Sequence, residues 1–387
     1  MARLIKKVED KKQPSSSDAL RSAMSDKDNK GYIYNDIRPK NKRFSFGSIK
    51  VDSALTLRSG QVIRMVAKQP ESGKSSASLV LAENYMKEMG NAKTLYVKAE
   101  GRLSKELQAR SGMKFVDNVD EWETGTVFVL SCNVFEIMAK TIISVLKTAH
   151  ANEEYIAVII DSMDGLILQA DLDKGFEGNT KVAGVPLLTK LLFRHLALPV
   201  AHYDALLIVI GQYAAAIQID PYAENVPRQA SSSGGSSIGH QSDHVLEFQP
   251  RYGGSLILKD PNNKKVSADN PIIGYNIKII PRKSANDITG IPLEYPIKKG
   301  VVGCAIWKSR EIVEMLQAFE MIKQGGAWFS WPEDVFNEAK EAGVELVEKI
   351  QGINSVYSYF EENINVMEYF EKRIKELIGI EEEESWN

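Results

Sequence analysis

The chain has 387 residues, 43% of them hydrophobic and 26% charged, with a formal net charge of -3. That is room for one large domain and one or two small ones around a substantial core. With only two cysteines, Cys132 and Cys304, the totals exclude a disulfide framework and any cysteine-based zinc spacing; both lie in apolar runs and are expected as buried reduced thiols.

No apolar run approaches the roughly 20 residues of a membrane helix. Residues 1–14 are charged and lack the apolar stretch of a secretory signal. A cytoplasmic protein with no membrane partner is the expectation. Charge is unevenly spread. Residues 1–48 hold 12 Lys/Arg against 6 Asp/Glu, and residues 333–387 hold 5 against 15. A basic arm and an acidic tail of this kind suit surfaces that attract or repel a polyanion.

In chain order, residues 1–45 are polar and read as a basic arm with one short helix. A strand is predicted over 62–66, followed by a Gly/Ser/Pro loop and a helix over 75–89. Further strands are predicted over 94–97 and 127–130. Val134, Ile137, Met138, Ile142 and Val145 recur at helical spacing. Residues 155–160 and 205–210 are nearly continuous apolar runs, as in strands buried on both faces of a parallel sheet, with a helix over 187–198 between them. Antiparallel strands are expected over 255–258 and 275–280, around a polar turn at 260–263. Beyond Trp307 the pattern becomes helical: 309–323 with Ser309 as N-cap, 334–350 and 361–378. Alternating strands and helices argue for an α/β class with a mostly parallel sheet. The expected organisation is an arm over 1–45, an α/β core over 46–308 and a small helical C-terminal domain over 309–387 with an acidic tail.

The strongest chemical signal is Lys68-Gln69-Pro70-Glu71-Ser72-Gly73-Lys74-Ser75 between a predicted strand and a predicted helix. It matches a phosphate-binding P-loop everywhere except its first glycine, which is Lys68. Backbone N–H groups at a helix start hold phosphate oxygens, Gly73 allows close approach, Lys74 reaches the outer phosphates, and Ser75 ligates Mg²⁺. Residues 69–76, ending at Ser76, are the candidate nucleotide cradle. Were the Lys68 position to need a left-handed backbone, a lysine there would cost about 1 kcal/mol.

Asp161 ends the apolar run 155–160, where a carboxylate can hold Mg²⁺ directly or through water. Glu100 follows the strand over 94–97 and can polarise an attacking water. Gln212 follows the run 205–210, and its amide can sense a terminal phosphate. The remaining histidines, His150, His195, His202 and His244, have no metal-ligand spacing.

The order of these elements resembles the RecA recombinase family, most closely its phage branch of the UvsX kind. The resemblance covers roughly residues 45–335. Pro70 to Ser75 is similar to the family P-loop, Ala99-Glu100 to its general-base pair and Asp161-Ser162 to its strand-end Asp-Ser. Gln212 is similar to its phosphate-sensing glutamine, Gly234-Gly235 to the glycines closing its second DNA loop, and Gly326 to Ser330 to a matching C-terminal run. The resemblance implies a RecA-like P-loop ATPase core with ATP and Mg²⁺ as cofactors and Lys74, Glu100 and Gln212 as catalytic residues. It also implies a homo-oligomeric helical filament on single-stranded DNA that exchanges strands with homologous duplex DNA, aided by a single-strand-binding or loader protein, in a bacterial or phage-infected cell. DNA contacts would fall around 173–185 and on Tyr213, Arg228, Ser231, Ser232, Ser233, Gly234 and Gly235, with backbone and aromatic groups supplementing a sparse positive charge.

The chain departs from the family at Lys68, at Lys98, where an Asp is common, and at Leu107, where an aromatic residue stacks on adenine. Leu107 keeps apolar contact with a base but no ring. Two alternatives stay open: a RecA-like paralogue with little or no turnover that acts as a mediator or structural filament component, and a hexameric helicase on the same core.

Overall fold

A computed structural model of the chain describes residues 15–29, 33–35, 37–100, 103–173, 184–212, 241–303 and 305–380. The chain divides into two units, residues 1–38 and 39–387. In the first lies helix α1 (Ser16–Ser25), the short helix expected in the arm. Ser15 caps it and Asp18 completes the capping box, and none of its residues is buried.

The second unit begins with strand β1 (Arg43–Phe44), helix α2 (Ile49–Asp52) and strand β2 (Leu57–Arg58), which pairs antiparallel with β1. The main α/β succession is β3 (Val62–Ala67), α3 (Lys74–Met89), β4 (Ala92–Lys98), α4 (Lys105–Ser111), β5 (Lys114–Val116), β6 (Thr126–Ser131) and α5 (Phe135–Ala151). It continues through β7 (Tyr155–Asp161), α6 (Gln169–Asp173), α7 (Gly184–His202), β8 (Leu206–Gln212) and β9 (His244–Phe248). Then come β10 (Leu256–Leu258), β11 (Ile272–Lys283) and β12 (Leu293–Lys298).

Among the described residues these strands form one ten-stranded sheet in the order β10-β11-β9-β3-β8-β7-β4-β6-β5, with β12 on β11. The seven strands β9-β3-β8-β7-β4-β6-β5 are parallel. Strands β10, β11 and β12 extend the sheet antiparallel, as the hairpin-like runs predict. The fold is therefore α/β with a large, mostly parallel central sheet, and no helix of the described residues is long and apolar enough to cross a membrane.

The apolar strands sort their side chains with period two. Ile63, Met65, Tyr96, Ile159 and Ile208 face α3 and pack on Leu81 and Tyr85. Val62, Leu95, Val158, Ile160 and Leu207 face the opposite way and pack on Met138 and Ile142 of α5 and Phe193 and Leu196 of α7. Both faces of the central strands are covered, which explains their unbroken apolar runs. Parallel pairing also puts the carboxyl ends of four strands on one edge: Ala67 lies opposite Gln212, and Lys98 opposite Asp161.

The C-terminal residues differ from the all-helical expectation. Helices α8 (Lys308–Ala318), α9 (Glu333–Glu341), α10 (Ile353–Glu362) and α11 (Ile364–Leu377) are joined by a three-stranded antiparallel sheet of β13 (Lys323–Gly325), β14 (Trp328–Ser330) and β15 (Lys349–Gln351). The helix predicted over 334–350 stops at Glu341 because Gly343 turns left-handed (φ 77°). The one predicted over 361–378 is two helices, broken at Asn363 (φ -117°, ψ 79°). Ser309 is not the cap of α8. It lies one residue inside the helix and donates to Glu361 at 3.0 Å. These helices share a third core of Trp307, Ile312, Leu316, Phe329, Phe360 and Phe370.

One buried carboxylate ties α8 to α2. Glu311, fully buried, accepts from the Ser48 hydroxyl at 2.5 Å and from the N–H groups of Ile49 and Lys50, each at 3.1 Å. It thus caps a helix more than 250 residues away in sequence.

At the opposite edge of the sheet from the strand ends, His244 is fully buried, and neither ring nitrogen is hydrogen-bonded among the described residues. Burial, with the Lys283 ammonium second, pushes its pKa down to about 4. The unfolded imidazole takes a proton near pH 6.5, before the folded one does, so stability is full above that pH and falls as pH drops towards 4. The loss is expected to reach about 3 kcal/mol. Urea unfolding at pH 7 and pH 4.5 measures it. His244→Leu is expected to flatten the difference, and an equally steep fall in the variant counts against His244 as the cause. Cys132, expected to be buried, is half-exposed, because it follows β6 at the turn into α5. Cys304 lies outside the described residues.

Candidate active site

The loop from Lys68 to Gly73 leaves β3 at the carboxyl edge and enters α3. Gln69, Pro70 and Glu71 are exposed, whereas Ser72 is buried. Two loop residues are left-handed, Glu71 at φ 56° and Gly73 at φ 100°; Lys68 is not. The missing first glycine therefore carries no left-handed strain, and Glu71 takes that conformation instead, at about 1 kcal/mol. Gly73 sits over Ile277 of β11, 3.5 Å from where a Cβ would lie, so φ rather than space requires glycine there.

Helix α3 opens with Lys74, Ser75 and Ser76, all half-buried, and no acidic side chain stands in its first turn. Its N-terminal N–H groups thus face the loop with the positive end of the helix dipole. The Lys74 ammonium is 3.5 Å from the Ser72 hydroxyl. Burial holds its pKa below the ordinary lysine range, opposed by the charges of Asp161, Asp164 and Glu100. The Lys74 ammonium thus sits in the field of three carboxylates, a setting that fits a site that also receives a divalent ion.

The Ser75 hydroxyl donates to Asp161 Oδ2 at 2.8 Å. A serine oxygen and a carboxylate held this close, on α3 and at the end of β7, are the hard donors Mg²⁺ takes alongside phosphate and water. The Tyr96 hydroxyl donates to the same Oδ2 at 2.5 Å. Burial first, then the Asp161 charge, pushes the Tyr96 phenol far up, so it remains a donor.

Glu100 follows β4 and is half-buried. The buried Ser162 hydroxyl donates to its Oε1, and the Ala99 N–H donates to the Asp161 carbonyl at 2.9 Å. Beneath it, Gly165 leaves no room for a Cβ, which would come within 2.7 Å of Glu100 Cγ. The end of β4 and the turn after β7 therefore hold each other. Gln212, exposed at the end of β8, donates its backbone N–H to Asp164 Oδ2 at 2.8 Å.

The structure thus brings Ser72 to Ser75, Glu100, Asp161 and Gln212 to one edge of the sheet. Leu107 is elsewhere in character: on α4 it is half-buried and packs against the α3-side core, with its N–H capped by Ser104 at 3.2 Å. Tyr213, Arg228, Ser231, Ser232, Ser233, Gly234 and Gly235 lie outside the described residues, as do residues 174–183 of the other expected DNA loop.

Three contributors escape a reading of the sequence. Tyr96 reads as a core residue of its strand. Asp164 follows Asp161 by three residues, and this spacing is the one local signal. Arg251 reaches the loop from the far side, 3.6 Å from the Glu71 carboxylate, with its guanidinium 4.7 Å from the centre of the Tyr275 ring. No protein-family model matches the chain, and no curated protein matches it either.

Proposed function

We propose that this protein is an ATP-dependent DNA strand-exchange recombinase of the RecA-like kind, a DNA-dependent ATPase that works as a filament on single-stranded DNA. The observation that carries the nucleotide part is the Ser75–Asp161 hydrogen bond, which joins the start of α3 to the end of β7 beside Lys74. In this reading the backbone N–H groups of residues 72–76 bind the phosphates and Lys74 neutralises the outer ones. Ser75 and Asp161 would hold Mg²⁺, which when bound would supply neutralisation of the phosphate charge. Ser162 orients Glu100, and Glu100 takes the proton of the attacking water. Gln212, tethered through Asp164, relays the phosphate state to the segment that follows β8. The DNA and filament parts rest on the resemblance to the RecA family, since Tyr213, Arg228 and Ser231 to Gly235, the residues proposed to touch DNA, lie outside the described residues.

Steady-state phosphate release with and without single-stranded DNA tests the reading. Wild type is expected to turn over faster with DNA, and Lys74→Ala to lose at least about a hundredfold in rate by removing a charge aimed at the transferring phosphate. ATP binding with no turnover on any DNA overturns the enzyme reading. It favours a structural or mediator role, a second reading that rests on Leu107, whose half-buried aliphatic side chain offers a base no ring to stack on.

A further inference from the structure

A fully buried phenol needs a hydrogen-bond partner, and a neutral carbonyl is enough. Tyr85, equally buried, finds one in the backbone oxygen of Asp204 at 2.7 Å. Tyr96 does something different: it spends its hydroxyl on the Asp161 carboxylate. Register explains how it reaches. Tyr96 lies opposite Ile159 and Lys98 opposite Asp161, so Tyr96 stands two residues short of the strand end on the α3-facing side, and its ring spans that step on the neighbouring strand. Ser75 arrives from α3 on the same oxygen, Oδ2. Three elements, β4, β7 and α3, therefore meet on one carboxylate.

We propose that Tyr96 is a positioning residue of this site: its phenol locks the Asp161 carboxylate in the orientation that serves Ser75 and a magnesium ion bound with nucleotide. Both donors fall on Oδ2, so the phenol and the Ser75 hydroxyl together fix the rotation of the carboxylate. Without the phenol, the carboxylate keeps one hydrogen bond and gains rotational freedom, and each magnesium-binding event must then order it. The inference rests on the nucleotide reading above.

The test is a titration of Mg²⁺ against a fluorescent ATP analogue, beside a titration of the analogue alone in EDTA. For Tyr96→Phe, which keeps the ring and removes the donor, metal-free affinity is expected within about twofold of wild type. The Mg²⁺ concentration for half-maximal tightening is expected to rise about three- to tenfold, the net worth of one ordinary hydrogen bond, since the phenol acts on the ion only through the carboxylate. In an Asp161→Asn background, Tyr96→Phe is expected to add nothing, as a residue acting through Asp161 must.

An unchanged or lower Mg²⁺ midpoint overturns the proposal. So does an equal loss with and without metal, which marks Tyr96 as mere core, and so does full additivity with Asp161→Asn. A wild-type chain that binds the analogue in neither condition overturns the nucleotide reading itself, a result distinct from all three.

Discussion

Glu100→Gln is expected to slow DNA-stimulated ATP turnover by about two to four orders of magnitude while binding of the nucleotide stays within a few-fold. The asymmetry follows from where the side chain stands. Glu100 is beyond the end of β4, outside the phosphate loop, and is held by the Ser162 hydroxyl over the close-packed Gly165. Gln keeps the shape, accepts the same Ser162 hydrogen bond and fits the same space, but it cannot take a proton from water. Phosphate release in single-turnover and steady-state assays, beside equilibrium binding of an ATP analogue, measures both halves. A turnover loss below about tenfold would mean that water is activated elsewhere and that the Ser162–Glu100 pair is architectural.

The second large effect concerns stability. Glu311→Ala is expected to destabilise the chain by about 3 kcal/mol, because it strands the Ser48 hydroxyl and the N–H groups of Ile49 and Lys50 in a dry site. Part of that cost is offset: burial holds the Glu311 pKa above the ordinary range, so the wild-type carboxylate is itself expensive to keep charged. Glu311→Gln retains one acceptor oxygen and is expected to lose roughly half as much. Urea unfolding followed by the fluorescence of Trp307, Trp328 and Trp331 reads the change. A loss under about 1 kcal/mol in Glu311→Ala would show that water reaches α2 and replaces the carboxylate.

Much of the core was legible because its physics is local. Strands covered on both faces, such as the runs 155–160 and 205–210, must be apolar throughout, and the first polar residue past each marks the sheet edge where ligands bind. That logic alone finds Asp161 and Gln212, and the Gly73-Lys74-Ser75 run finds the loop. Contacts set by tertiary register were not legible. Nothing about Tyr96 in a run of strand formers says where its hydroxyl points, and Arg251 meets Glu71 from 180 residues away. The C-terminal strands failed for another reason: at three residues each, they are too short to show a period of two, and the helical spacing around them absorbs them. The left-handed backbone that would have strained Lys68, had that position needed it, falls at Glu71 instead, because loop conformation depends on how the loop is supported, and β11 lies against it at Gly73.

That support has a consequence for how the molecule is made. The phosphate loop emerges from synthesis early, yet Ile277 beneath Gly73 and Arg251 beside Glu71 come some 180 to 200 residues later. Between them, β8 and β9 must slot in on either side of β3, after β4, β6 and β7 already exist. The contacts that brace the loop are thus among the least local in the chain, the kind that forms slowly and last. No contiguous stretch ending before β11 carries a braced loop. A truncated or half-made chain holds the phosphate-binding sequence without the platform beneath it, and acquires both only when nearly three quarters of the protein has been assembled.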